Sequence, residues 1–293
     1  MIKNLTINAI TQYIEDNLEV TKVDIESLVS YSGYSRRYLQ KIFKDGIGLS
    51  IGKYIQLRRI SRAAIFLRLT HLSLSSISVR LCYDSQQTFT REFKKNTGYP
   101  PLQYRKNKVW TFRNMTGHRD ANDLFPIPDI YHIDRKLTDG FLFKHKGDIP
   151  YIGEKLESRW RVINEKLPNA NAIYLSNKVS SGNSEVLIST VIWASSEQAN
   201  TQIEIKSGSY AYFFFVGSHE RYSHFINHIY MNVLSFYDLT KRDDFDIEII
   251  TKEDVNSFSF QYFLPIIENN QFDFPLKKRN ACFDVTNLTF PPT

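Results

Sequence analysis

Two runs of the chain concentrate side chains that donate hydrogen bonds. In YDSQQTFTREFKK (Tyr83–Lys95), Gln87, Arg91 and Lys95 share one face at helical spacing, opposite Phe89 and Phe93. In YSRRYLQKIFKDGIGLSIGKY (Tyr34–Tyr54), Arg37 and Lys41 lie opposite Leu39 and Phe43 in the same way. Amides, guanidinium and ammonium groups arranged like this suit non-covalent recognition of an anionic partner rich in acceptors, and nucleic acid fits that description first.

Two other patterns point to different chemistry. GLSIG (Gly48–Gly52) matches the GxSxG nucleophile elbow. That motif needs a preceding strand and a histidine partner, whereas here it joins two helical segments. His219, His224 and His228 include an i, i+4 pair, but no HExxH glutamate or third ligand accompanies it, so exposed or packing roles are expected. Cys82 and Cys282 are the only cysteines, too few for a disulfide framework or for zinc held by CxxC pairs. No catalytic group, metal or cofactor is expected.

The donor faces belong to an internal repeat. At an offset of 50 residues Ser35 matches Ser85, Leu39 matches Phe89, Phe43 matches Phe93, Gly48 matches Gly98 and Tyr54 matches Tyr104. Each serine suits a helix N-cap, since its oxygen accepts an otherwise unpaired N–H of the first turn. A short amphipathic segment precedes each copy, Val23–Gly33 and Leu72–Tyr83. Short helix, tight turn and a second helix with a polar outer face make a helix-turn-helix, whose second helix enters the major groove. Gly33 suits the first turn; the second has Cys82 and must be made without glycine. Between the copies, Ile51–Leu69 reads as one connecting helix of roughly 25 Å or more. Such a spacer could serve successive major grooves, about 34 Å apart. The alternative is a pair of hairpins that merely pack together.

Charge follows the same division. Residues 1–110 carry 18 Lys+Arg against 8 Asp+Glu, whereas the whole chain of 293 residues has a net charge of only +6, so a basic half precedes a mildly acidic one. No apolar run is long enough to span a bilayer and the N-terminus lacks a signal-peptide core, which implies a cytoplasmic protein. After the turn-prone MTGHRDAND (Met115–Asp123), AIYLSNKV, EVLISTVIWA, SYAYFFFVG, FDIEII and SFSFQYFLPI read as strands. Helical stretches near Glu154–Leu167 and Arg221–Leu234 interrupt them. The expected architecture is multidomain: an all-α N-terminal domain with two helix-turn-helix motifs joined by a long helix, then an α+β domain with a pseudo-duplicated sheet.

The motifs GYSRRYLQKIFKDGIG, YIQLRRISRAA, YDSQQTFTREFKK and GYPPLQYRK resemble the DNA-binding module of AraC/XylS transcription regulators, within them the Rob/MarA/SoxS branch. The resemblance implies a bacterial activator that binds double-stranded DNA as a monomer and recruits RNA polymerase. It implies base or phosphate contacts by Arg37, Gln40 and Lys41 on the first reading helix and by Gln86, Gln87, Thr88 and Arg91 on the second. Glutamine can pair with adenine, arginine with guanine and the threonine methyl with thymine. Lys44, Lys94 and Lys95 suit phosphates, which fix register and not sequence. The branch usually has tryptophan at Arg37 and arginine at Lys41. Lysine lacks the planar fork of arginine, so altered preference is expected at the first half-site.

The second half resembles, over less of its length, the GyrI-like effector domain, which implies an aromatic groove for a small amphipathic ligand. Trp193, Tyr212, Phe214 and Tyr262 are the expected lining. Gln261 stands where the resemblance places a glutamate, which disfavours a cationic ligand. The implied boundaries are a DNA-binding domain over 1–110, a linker over 111–124, an effector domain over 125–267 and an unassigned tail over 268–293. The contrasting reading makes the second half a ligand- or protein-sequestering module, with the helical part as a tether.

Overall fold

The computed structural model describes residues 2–121, 125–147, 157–166, 171–182, 186–254 and 257–267. The tail over 268–293, with Cys282, lies outside them. Two compact units emerge: Met1–Asn107 with Phe112–Phe125 and His228–Asp238, and the remainder.

Among the described residues of Met1–Asn107 there are seven helices: α1 (Ile2–Asn17), α2 (Ile25–Ser32), α3 (Arg36–Ile47), α4 (Ile51–Leu69), α5 (Leu74–Arg80), α6 (Gln86–Thr97) and α7 (Pro101–Lys106). Local chemistry sets their ends. Ser35, Ser50, Ser73 and Ser85 each accept an N–H of the first turn of the helix that follows, and Asp24 does the same for α2. Gly33, Gly48 and Gly98 close α2, α3 and α6 with φ of 69°, 80° and 84°. The second inter-helix turn has no glycine, and Cys82 adopts φ 55° in its place. α4 is buried on nearly every side, as the spine of a unit must be. GLSIG is thus a helix end, a cap and a helix start, not a strand-to-helix elbow: the Ser50 hydroxyl accepts the Lys53 N–H.

The described part of the segment expected to be a linker is held against this spine. Thr116 N–H donates to Ser61 Oγ at 2.8 Å, Arg119 N–H to the Tyr54 hydroxyl at 3.2 Å and Ala121 N–H to Asn8 Oδ1 at 2.8 Å. The same unit includes His228–Asp238, a π-helical turn (Ile229–Val233) with short flanking helix. Its Asn232 accepts the Gly117 N–H at 2.6 Å and donates to the His118 carbonyl at 3.1 Å. Phe125 stacks on Phe236 at 4.5 Å. The expected division at 124 lies one residue from the edge of the first unit at Phe125, but Phe112–Phe125 and His228–Asp238 belong to that unit, because side chains far apart in sequence satisfy the backbone of the segment after Phe112.

In the second unit, eight strands form a continuous antiparallel sheet. They are β2 (Asp129–Ile133), β3 (Lys136–Gly147), β4 (Ala172–Ser181), β5 (Val186–Trp193), β6 (Thr201–Ile205), β7 (Gly208–Gly217), β9 (Asp246–Lys252) and β10 (Phe258–Ile267). Their order is β2-β7-β10-β9-β4-β5-β3-β6. The two-residue β8 (Thr240–Lys241) pairs with the end of β10, and β1 (Trp110–Thr111) pairs with β8. The order is a duplication: β3, α8 (Glu157–Lys166), β4 and β5 are matched by β7, α9 (His219–His228), β9 and β10, and β4 meets β9 at the centre. The expected α+β sheet with two helices is present. One face holds a core of Tyr131, Trp193, Ile205, Tyr210, Ile249 and Phe263. The other receives both helices: Tyr222 of α9 stacks on Phe260 at 3.8 Å, and Trp160 of α8 meets Phe260 edge-on at 5.9 Å. Among the described residues no helix is long and apolar enough to cross a membrane.

Candidate nucleic-acid interface

Each reading helix is anchored by one stripe and presents another. In α3, Leu39, Ile42, Phe43 and Ile47 are buried; in α6, Phe89, Phe93, Asn96 and Thr97 are. The Phe89 and Phe93 rings stand 5.7 Å apart, and Phe93 meets Tyr104 of α7 at 5.2 Å. That packing leaves Arg37, Gln40, Lys41 and Lys44 of α3, and Gln86, Gln87, Arg91, Lys94 and Lys95 of α6, exposed to solvent. Thr88 is half-buried: its N–H donates to Ser85 Oγ and its hydroxyl accepts from it at 3.0 Å, so it also serves the cap.

A buried ionic lattice fixes α1 on the spine behind these helices. Arg58 binds Glu15 through both ends of its guanidinium fork, each at 2.6 Å, and its remaining nitrogen donates to the Thr116 carbonyl. Arg62 meets Glu19 at 3.0 Å, and Glu19 also holds Arg80 of α5. Burial alone would raise the Glu15 carboxyl, but the Arg58 guanidinium, with Arg62 and His118, holds it below the usual carboxylate range. Sequence spacing misses this lattice because its members come from separate helices.

In the second unit the expected ligand residues do not share a face. Register pairs Gln261 with Phe214 and Ile249, and Tyr174 with Ile249; Trp193 stacks on Tyr174 at 5.6 Å. Tyr212 joins the same core as Trp193. Trp193, Tyr212, Phe214 and Gln261 therefore belong to the face away from the helices. Phe214 is 56% exposed there, while Trp193 is closed in and donates its indole N–H to Ser176. Tyr262 points to the opposite face, in register with Glu248.

That helix-covered face holds a polar cluster that sequence reasoning missed. Glu248 is 2% exposed, ion-paired to Arg159 of α8, and accepts from Asn177 at 2.8 Å. Asn177 in turn accepts from Thr190 at 2.8 Å. His145, on β3, is buried with neither ring nitrogen hydrogen-bonded, and Glu248 Oε1 has no hydrogen-bond partner either. Burial, with Arg159 adding its charge, pushes the imidazole down to about 4. Glu248, a buried carboxylate on the strand beside Gln261, thus faces the helices, whereas Gln261 faces away from them. Of the three α9 histidines, His219 packs on Trp160 at 5.0 Å, His224 is exposed and His228 lies 3.1 Å from Asn232. Among the described residues no group of acidic, histidine or cysteine side chains is arranged to hold a metal.

A helix-turn-helix domain family matches residues 28–107. The F1 operon positive regulatory protein of Yersinia pestis is 42% identical over 269 residues, 91% of this chain and 89% of that protein. The right origin-binding protein of Escherichia coli (strain K12) is 28% identical over 254 residues, 80% of this chain and 86% of that protein. A solved transcriptional regulator with an AraC-type DNA-binding domain, from Chromobacterium violaceum, is 25% identical with a TM-score of 0.33, covering 34% of this chain and 89% of that one.

Proposed function

The chain belongs to the AraC/XylS family of helix-turn-helix transcription regulators, and from that premise we propose a two-site reader of duplex DNA whose second unit is a GyrI-like effector domain. The observation that carries the DNA reading is the repeated geometry of α3 and α6: each buries an aromatic or aliphatic stripe and turns amides and cations outward. Gln40, Gln86, Gln87 and Arg91 read base edges in two adjacent major grooves; Arg37 and Lys41 serve the first half-site as base or phosphate contacts, and Lys44, Lys94 and Lys95 take phosphates. The protein acts as a monomer and as an activator that engages RNA polymerase. A full-length relative named as a positive regulator supports the sign of regulation.

For the effector domain, the helix-covered face is the better seat, because Glu248, Asn177 and His145 offer polar anchoring there among aromatic rings. Arg159 neutralises Glu248, so the ligand is a neutral or anionic amphiphile; a cation would have to displace a buried guanidinium.

Sites selected from random duplexes test the reading. Arg91→Ala should weaken specific binding by about 1–3 kcal/mol and relax preference at one base pair. Equal loss on every sequence would reduce Arg91 to a phosphate contact. A salt-independent affinity would instead favour the sequestering reading, since several phosphate contacts impose a steep negative slope.

A further inference from the structure

A cleft of about 630 Å³ separates α3 from α6, lined by Arg36 and Gln40 of α3, Gly52, Lys53 and Arg59 of α4, and Glu92 of α6. Its floor carries a residue that the fold does not explain. Gly33, Gly48 and Gly98 are needed for positive φ, a Cβ on Gly46 would meet Ile7 at 2.4 Å, and one on Gly117 would meet Met231 at 2.6 Å. Gly52 has ordinary helical φ, and a Cβ there would meet nothing within 4 Å. A glycine in the first full turn of a helix gives up backbone entropy relative to alanine. Within this protein, that loss has no structural return.

The surroundings indicate what could need the space. Beside Gly52, Lys53 is exposed, with its ammonium 2.9 Å from Gln56 and 3.1 Å from Asn96. Deeper in the cleft, Nε and Nη2 of Arg59 are buried donors without a hydrogen-bond acceptor. Arg36 stands at the rim, its guanidinium ion-paired with Glu26 at 3.0 Å. Of the two carboxylates in the lining, that of Asp24 is committed to capping α2, where it accepts the Ser27 N–H at 2.8 Å. Glu92 remains; burial, and then the charge of Glu92, raise the Tyr83 hydroxyl, with Arg59 opposing. The site thus presents donors and positive charge around a stretch of helix stripped of side chain, and the two reading helices flank it.

We propose that this cleft seats the sugar–phosphate backbone of the DNA segment that passes between the two half-sites, with the backbone running against Gly52 and a phosphate held by Lys53. The proposal rests on the DNA-binding reading above and adds to it a central contact that reads no base. Spacing between half-sites is then fixed by a contact on α4 as well as by the two reading helices.

The experiment uses the full chain and a duplex selected from random sequence. Gly52→Ala should leave the melting temperature unchanged or raised, yet weaken binding about tenfold or more, as an added methyl does in a close-packed contact. Lys53→Ala should lower the slope of log affinity against log salt by about one, uniformly across sequences. Ethylation of phosphates between the half-sites should block binding. If Gly52→Ala binds as tightly as the parent, and central ethylation is silent while ethylation beside the reading helices interferes, the seat is refuted and the two-site reading stands. If the parent chain selects no duplex at all, the two-site reading fails and the seat fails with it.

Discussion

Asn232→Ala isolates the contribution of the π-helical turn to the helical unit. The side chain is 4% exposed and accepts the Gly117 N–H at 2.6 Å while donating to the His118 carbonyl at 3.1 Å. Truncation leaves a buried N–H with no acceptor and a carbonyl short of one donor. An unsatisfied buried group costs about 1–3 kcal/mol, so the pair should cost about 2–4 kcal/mol of local stability. Because Gly117 lies directly against Met231 and Asn232, its backbone has little room to find another partner. Two units make a single global unfolding energy a poor measure, and native-state hydrogen exchange reads the site itself. Protection of the Gly117 amide should fall by about thirtyfold to a thousandfold, with Ala121 following. Asn232→Asp, which keeps the acceptor oxygen, should retain most of the Gly117 protection. Unchanged exchange at Gly117 in Asn232→Ala would refute the argument that this side chain holds the segment after Phe112.

Two further variants test the buried charges. Glu15→Gln leaves Arg58 buried without its ion partner and should destabilise the helical unit by about 3–5 kcal/mol, read by far-UV circular dichroism in urea. Since the folded carboxyl lies below the ordinary 4.5, the unfolded chain binds more protons in that window. The parent should therefore lose helical stability as pH falls below about 4.5, and Glu15→Gln should lack this loss; an identical acid profile would sink the assignment. His145 tests the sheet unit at milder pH. Its imidazole goes from an ordinary 6.5 down to about 4, so the unfolded state takes up the proton first and stability falls as pH drops between those values, by up to about 3 kcal/mol. His145→Leu should flatten that stretch of the stability profile, and a slope equal to the parent's would show that the proton goes elsewhere.

The helical unit was legible because its signals are local. Ser35 and Ser85 sit one step before the segments they cap, and Leu39/Phe43 and Phe89/Phe93 mark the buried stripes four residues apart. Even the absence of glycine from the second turn correctly required another residue there, and Cys82 supplies the positive φ. The hold on the segment after Phe112 was not legible for the complementary reason. Met115–Asp123 reads as turn-prone, but what holds its described part is Ser61, Tyr54, Asn8 and Asn232, none of them near in sequence. Strands β2 and β6 were not anticipated, and the strand expected ahead of the first helix was given no residues, which β3 supplies. β3 carries Gly140 and three lysines, and its pairing to β5 and β6 closes over loops that no short window spans.

In the second unit, parity along each strand decides which face the candidate ligand residues take. Along a strand successive side chains alternate faces, so a one-residue error in alignment moves a residue through the sheet. Gln261 was judged as the missing carboxylate, yet it faces away from the helices, while Tyr262 beside it shares the helix-covered face with Glu248. The proposal that a cation is disfavoured rests on a different residue here. At Gln261 it rested on a charge that was absent; at Glu248 the charge is present, buried at 2% exposure, and already answered by Arg159. On the proposed effector reading, a ligand on this face would meet a neutral ion pair and an uncharged imidazole, not a bare carboxylate. On that reading, selectivity would depend on how a ligand's polar groups match Glu248 Oε1 and His145, both without hydrogen-bond partners, since leaving either unmatched forfeits the hydrogen bond that would offset its burial.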